Sequence, residues 1–566
     1  MLTRSVLSKG VKPLGFRAPP RVLRSLHTAV RCSADANNEG KGENYTITTP
    51  LYYVNAAPHM GSAYSTIAAD TAARFQRLKG RNVRFVTGTD EHGEKIAAAA
   101  LSNGMSPQQH CDHIVGEYET LWGQLDIAYD AFIRTTSSKH EKLVHETLKR
   151  VWEKGDIYLS DYEGWYCVDC EEFKDDKEMD ANHNCPTHLK PCQHRKEANY
   201  FFRLSRYQKE IEELLTQQAG FVRPESRRNE LVTWVKDGVR DFSISRSAVQ
   251  WGISIPNDPV QTVYVWFDAL IGYLSGLIPE GSEPTLAKVK ESGWPASVHI
   301  IGKDILRFHA IYWPGMLLSA DLPLPKQVYG HGFLTKNGMK MGKALGNTLD
   351  PKELVSNYGS DAVRFYFMKE IIFGQDGDFS DERFRNTVNA ALANNIGNML
   401  NRSLNLLKKF CKSEVTIDLT ADIPSDHQLR QLATEKMPAA HDAYERLALH
   451  EAIDASISLC AQGNQFLERT EPWHLFKGDE AQKAQAVTAI CAVLETLRIV
   501  AVALKPVVPQ LSLRIYQQLG YSAQHFQDLT WQDTAWGGLP KGQLTSKPVP
   551  VFARLEAKEL EASVKA

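Results

Sequence analysis

The alternation of apolar and polar positions first becomes regular near Tyr45, where a run rich in Thr, Ile and Tyr reads as a strand over residues 45–53. A loop follows, Asn55-Ala56-Ala57-Pro58-His59-Met60-Gly61-Ser62. Ile67, Ala68, Phe75 and Leu78 then fall on one helical face over about 65–78, and Gly80 stops the pattern. Residues 83–87 form a second short apolar strand. Strand, loop, helix and strand in this order are the building block of a parallel, doubly wound sheet, so the expected fold class is α/β and Rossmann-like. Over 155–200 the periodicity gives way to Cys, His, Asp and Lys, the mark of an inserted module. Strand-like apolar runs return at 263–267 and 298–301. From about Asp381 the pattern is almost wholly helical, with amphipathic stretches at 385–410 and 484–504, which predicts an antiparallel helix bundle.

Composition changes this picture at the N-terminus. The chain has 566 residues, 43% hydrophobic and 23% charged, with a net charge of −2, ordinary for a globular enzyme of two or three domains. Residues 1–34 hold seven basic residues (Arg4, Lys9, Lys12, Arg17, Arg21, Arg24, Arg31) and no acidic one, so the remainder carries −9. An acid-free, Arg- and Ser-containing leader with no continuous apolar core has organelle-transit composition, not that of a secretory signal. The expected destination is a plastid, a mitochondrion or both, and 1–42 is set apart as leader. With an acidic body, any RNA surface must be a local basic patch. No uninterrupted apolar run approaches the ~20 residues of a membrane span, so no membrane is expected as partner. The nine cysteines are scattered except between Cys167 and Cys192, which excludes a secreted disulfide framework.

That cluster carries the first chemical signal. Cys167-x2-Cys170 is followed, after fourteen residues, by Cys185-x2-His188. Two such knuckles can present four ligands tetrahedrally to a structural Zn²⁺; Cys192 and His194 are spare candidates. A second signal is the loop at His59 and Gly61, between a strand and its helix, where backbone N–H groups and the helix dipole favour phosphate. A third is Lys340-Met341-Gly342-Lys343-Ala344, a pair of lysines on a Gly-flanked loop suited to clamping polyphosphate.

The second and third signals, in this order and spacing, resemble the HIGH and KMSKS signatures of class I aminoacyl-tRNA synthetases. Thr87-Gly88-Thr89-Asp90-Glu91-His92-Gly93, Tyr264-Val265-Trp266-Phe267-Asp268-Ala269 and Ile301-Gly302-Lys303-Asp304-Ile305-Leu306-Arg307-Phe308-His309 resemble blocks of the methionyl-tRNA synthetase family. The first signature reads His-Met-Gly-Ser, without its second histidine, and the other Lys-Met-Gly-Lys-Ala, without its serines. The resemblance implies ATP-dependent activation of L-methionine to methionyl-adenylate and its transfer to tRNA(Met), with Mg²⁺ accompanying ATP. It implies His59, Gly61, Lys340 and Lys343 for catalysis, and His59, Ser62, Asp304 and Lys343 for ATP. For methionine it implies Leu51, Tyr53, Asp90, Trp266, Tyr273 and His309, with Asp90 on the substrate ammonium. Asn398 and Arg402, four apart on one helix face, and Trp473 after Glu471-Pro472 match anticodon-reading positions.

The expected divisions are a catalytic domain in two halves, 43–155 and 256–330, around a zinc-bearing insertion, 156–255. A signature-loop and stem-contact region, 331–384, then leads to a helical anticodon-binding domain, 385–566. Sister enzymes for isoleucine, valine or leucine would need an editing insertion for which the interval between Asp90 and Trp266 has no room. A cysteine enzyme would place metal ligands at the amino-acid pocket. A non-catalytic RNA-binding relative would have lost His59 or Lys343. With the chain ending soon after the helices, a monomer is expected.

Overall fold

The computed structural model describes residues 42–556 except 169–171, 175, 177–178, 187–188, 248 and 342–347. The leader, Cys170, His188 and Lys343 therefore lie outside the described residues.

A six-stranded sheet organises the first part of the chain. Across it the strands run Ala131–Arg134, Asn82–Asp90, Asn44–Tyr53, Val298–Gly302, Val328–His331 and Val222–Arg223, every pairing parallel. The chain winds outward in one direction from Asn44–Tyr53 and later in the other from Val298–Gly302. The crevice between the carboxyl ends of these two neighbours is therefore a topological switch point, where ligands bind in open α/β sheets. The edge strand Val222–Arg223 comes from within 156–255, so that segment is tied back into the main sheet. The rest of it is built on a four-stranded antiparallel sheet whose long hairpin pairs Ile157–Cys167 with Gln193–Phe202.

Two sequence expectations are corrected. The run at 263–267 divides between a strand, Asp258–Val263, and a helix, Val265–Ser275. That helix is buried on nearly every side, and an apolar run buried all round has no periodicity to separate helix from strand. The first helix begins at Met60 instead of about Ser65, because His59, an unusual residue for the role, caps it.

The helical part is an antiparallel bundle. Asp381–Val388 continues through a nine-residue π-helical stretch, Asn389–Gly397, into Asn398–Cys411. Gln428–Glu445, Leu449–Thr470 and Glu480–Leu504 complete it. The last is long and apolar enough to cross a membrane by length and composition, although Glu495 and Arg498 interrupt its apolar run. It is instead the central strut of the bundle: 17 of its 25 residues are buried, and Glu495 and Arg498 pair at 2.7 Å within it. The bundle is joined to the sheet's first helix through Arg364, wholly buried, which pairs with Asp70 at 2.6 Å and donates to the carbonyls of Leu125, Pro506 and Val507.

Candidate functional site

His59 lies at the switch point as the N-cap of Met60–Leu78. Its Nδ1 accepts from the Gly61 N–H at 3.1 Å, and the Ser62 hydroxyl oxygen accepts from the His59 N–H at 3.2 Å. This is a capping box in which both side chains satisfy N–H groups that a helix start leaves orphaned. A Cβ at Gly61 would stand 2.9 Å from the imidazole, so glycine is what lets the ring fold over the helix start. The arrangement fixes an imidazole beside the positive end of a 19-residue helix dipole, a place suited to phosphate. One turn on, Ser65 meets His331 Nε2 at 2.6 Å.

The other wall comes from the strand Val298–Gly302. Lys303–Ile305 turns immediately as a 3₁₀ helix, carrying Asp304. A Cβ on Gly302 would lie 2.4 Å from the Asp304 carboxylate, so Gly302 makes room for that side chain above the sheet edge. Phe308–Tyr312 then forms a π-helical turn, a rare geometry frequent at functional sites.

Between these walls lies an aromatic pocket. Trp266 stacks on Phe308 with centroids 3.9 Å apart and planes at 5°. Tyr273, two turns along the same helix as Trp266, donates its hydroxyl to His309 Nε2 at 2.7 Å, while His309 Nδ1 faces the Ile305 carbonyl at 3.0 Å. The carbonyl can only accept, so the His309 proton sits on Nδ1 and Nε2 is the acceptor. Burial pushes the ring's pKa down to about 4, against a smaller opposing effect of the Ile305 carbonyl; it is a neutral imidazole near pH 7. His299, against Tyr273 at 4.7 Å, is driven well below its usual value by burial and by His309. Leu51 packs on Gly272, where a Cβ would come within 2.3 Å of it. Asp90 is buried at the end of Asn82–Asp90, in register with Tyr53 of the neighbouring strand.

The shell behind Asp90 was not foreseen from sequence. Glu91 takes two hydrogen bonds from Arg134, at 2.7 and 2.9 Å. Asp268 bridges His92 at 2.6 Å and His140 at 2.5 Å; burial raises its pKa, but the two histidines hold it down to about 2. The Asp268–His92 contact ties the loop after Asp90 to the helix carrying Trp266 and Tyr273, and the Glu91–Arg134 pair ties it to the strand Ala131–Arg134. Glu91, His92, Asp268 and Phe308 all stand inside the sequence blocks quoted above, but no spacing rule pairs residues 176 positions apart.

The structure thus brings Leu51, Tyr53, His59, Gly61, Ser62, Asp90, Trp266, Tyr273, Asp304 and His309 to one end of the sheet. Lys340 ends the hairpin strand Met339–Lys340, paired with Leu334–Lys336 across Asn337 and Gly338, both at positive φ. In the insert, Cys167, Cys185 and Cys192 form one buried cluster. Burial raises the Cys192 thiol to about 11, with Cys167 and Cys185 adding to the effect. Among the described residues no three His, Cys, Asp or Glu side chains are arranged to hold a metal. In the bundle, Arg402 lies over the Trp473 ring at 5.5 Å and is steadied by Glu468 at 3.2 Å, with Asn398 exposed one turn before it. Pro472 opens the short helix that presents Trp473.

Comparison with known proteins agrees with this layout. Residues 45–404 match the family described as tRNA synthetases class I (M), and 420–565 match the anticodon binding domain of methionyl tRNA ligase. A chloroplastic/mitochondrial methionine–tRNA ligase of Arabidopsis thaliana is 55% identical over 93% of this chain and 85% of its own length. The methionine–tRNA ligase of Thermosynechococcus vestitus is 51% identical over 90% of this chain and 98% of its own length. A solved Mycobacterium tuberculosis methionyl-tRNA synthetase in complex with methionyl-adenylate superposes with a TM-score of 0.85 at 36% identity, covering 91% of this chain and all of that one.

Proposed function

The chain belongs to the methionyl-tRNA synthetases, class I, and from that premise we propose the roles its residues take in the family's reaction. It is a methionine–tRNA ligase: it activates L-methionine with ATP to methionyl-adenylate and transfers the methionyl group to tRNA(Met). In the first step a methionine carboxylate oxygen attacks the α-phosphorus and pyrophosphate leaves. In the second a hydroxyl of the tRNA's terminal ribose attacks the carbonyl carbon and AMP leaves. No bond to the enzyme forms, so the protein contributes position and charge stabilisation.

The observation that carries the residue assignment is the uncharged aromatic pocket of Trp266, Tyr273 and His309, at the same end of the sheet as the His59 cap. A thioether is apolar and polarizable and packs well on aromatic faces, and a neutral His309 spares it a desolvated cation. Asp90, braced through Glu91 and Arg134, takes the substrate ammonium, with Leu51 and Tyr53 closing the pocket. Asp304 takes the nucleotide's ribose. His59 and the helix start at Gly61 and Ser62 receive phosphate oxygens, Lys343 neutralises departing pyrophosphate with Lys340 assisting, and Mg²⁺ arrives with ATP. In the helical bundle the Arg402–Trp473 pair offers a flat cationic surface for an unstacked anticodon base, with Asn398 beside it for a hydrogen bond.

In the insert, Cys167 and Cys185 are already buried side by side, which suits the thiolate donors of a structural zinc; Cys170 and His188 complete the set, and Cys192 packs against it. Bound zinc would rigidify the insert beside the tRNA acceptor end. Zinc analysis separates the ligands from their neighbour: Cys185→Ser loses the metal and Cys192→Ser retains about one per chain, whereas equal loss in both would make Cys192 a ligand. The basic leader and the organellar relative support import into plastids, mitochondria or both. We take the working form to be a monomer, without a membrane partner. The domain roles follow the sequence divisions, with 385–566 reading the anticodon. The direct test of function is charging of a tRNA(Met) transcript with labelled methionine; a purified chain that activates methionine but never charges this tRNA would contradict the assignment.

A further inference from the structure

A cleft of about 490 Å³ opens beside the reaction centre, and of its lining residues only Asp304 has a role above. Its walls come from three places: Lys174 and Pro186 of the insert, Leu231 and Trp234 of the helix Glu225–Lys236, and the segment that follows Val298–Gly302. Neither His59 nor Gly61 lines it. Asp304 and Phe308 do, and Phe308 stacks on Trp266. The cleft therefore shares a wall with the methionine pocket without being part of it.

Its chemistry is that of a stacking platform. The Arg307 guanidinium lies over the half-buried Trp234 ring at 4.7 Å, and a guanidinium or indole plane suits any nucleobase. Charge alone would not argue for nucleic acid. Lys303 is held by both oxygens of Asp376, at 2.7 and 2.8 Å, and Glu230 on the rim is paired with Arg227 at 2.6 Å. What argues for it is flat cationic surface in a volume of ligand size, contiguous with the site where a second substrate must deliver a hydroxyl.

We propose that this cleft receives the single-stranded 3′ end of the tRNA, with one base stacked on the Trp234–Arg307 pair and Lys174 facing the backbone from the insert. The proposal rests on the reading that tRNA is the acceptor. It assigns Trp234 and Arg307 to the transfer step and leaves methionine activation to other residues.

The test measures two reactions on the full chain. Methionine-dependent ATP–pyrophosphate exchange without tRNA reports activation; single-turnover transfer from preformed adenylate to tRNA reports the second step. Trp234→Ala is expected to keep exchange within about 2-fold while lowering transfer at sub-saturating tRNA by ~10-fold or more, the loss of one base–aromatic stack. Trp234→Phe should recover most of the loss, and Arg307→Ala should behave like Trp234→Ala. A tRNA carrying 2-aminopurine next to its terminal adenosine should be quenched on binding the unmutated chain and less so with Trp234→Ala. Parallel loss of exchange and transfer in Trp234→Phe, or unchanged transfer and quenching in Trp234→Ala, overturns the proposal. If the unmutated chain itself shows no exchange with methionine, the functional reading fails instead, and the two failures are told apart.

Discussion

His309 is kept neutral by burial, with its pKa near 4 against an ordinary 6.5, and His331 is depressed to about 4 for the same reason. A depressed histidine resists a proton that the unfolded chain accepts. Folding stability is therefore intact above pH 6.5 and falls as pH drops from there towards 4, by at most ~1.4 kcal/mol per pH unit for each ring. Urea midpoints measured across this range should slope downward towards acid, and His309→Gln should flatten the slope; a slope unchanged by that substitution contradicts the burial argument. Tyr273→Phe removes the donor to His309 Nε2 and leaves a buried acceptor unsatisfied, at a cost of ~1–3 kcal/mol in stability. It should raise the KM for methionine with little change for ATP. His59 can be split by role: His59→Asn keeps an N-cap acceptor but loses the imidazole, whereas His59→Ala loses both. If the ring serves phosphate, both variants slow exchange ~10²-fold or more, while only His59→Ala also loses ~1 kcal/mol of stability.

At the scale of elements, the parallel sheet was legible because its first strand, rich in β-branched and aromatic residues, is followed by a loop, a helix and a second strand. Legibility failed where burial is complete. The helix Val265–Ser275 is buried on nearly every side, so its apolar run carries no stripe, and its first residues read as strand. The start of Met60–Leu78 was missed because His59 is not a usual cap and works only with Gly61 and Ser62 beside it. Pairings such as His92–Asp268–His140 depend on which strands become neighbours, and no local pattern encodes that. The two π-helical stretches, at His309 and just before Asn398, had no sequence signature either. Gly272 tests the packing between elements: Gly272→Val would drive a side chain into Leu51, and overpacking of this kind costs ~1–3 kcal/mol. Its KM for methionine should rise more than its KM for ATP, and an equal rise in both would place the strain elsewhere.

At the scale of the whole molecule, buried charge ties the helical bundle to the sheet's first helix through Arg364 and Asp70 and braces the bundle itself. Glu495 and Arg498 pair in the bundle centre, and Glu495 also accepts from the N–H groups of Gly537, Gly538 and Leu539. Glu495→Ala leaves a buried guanidinium uncompensated and should cost ~3–5 kcal/mol, read as a lowered urea midpoint. The proposed catalytic residues come from blocks far apart in sequence, between Leu51 and Lys343, whereas the proposed anticodon residues all lie between Asn398 and Trp473. The central claim is that the pocket of Asp90, Trp266, Tyr273 and His309 selects methionine for attack on ATP. ATP–pyrophosphate exchange with each of the twenty standard amino acids tests it most directly: the account predicts exchange that depends on methionine alone, and exchange driven by any other amino acid, or by none, would contradict it.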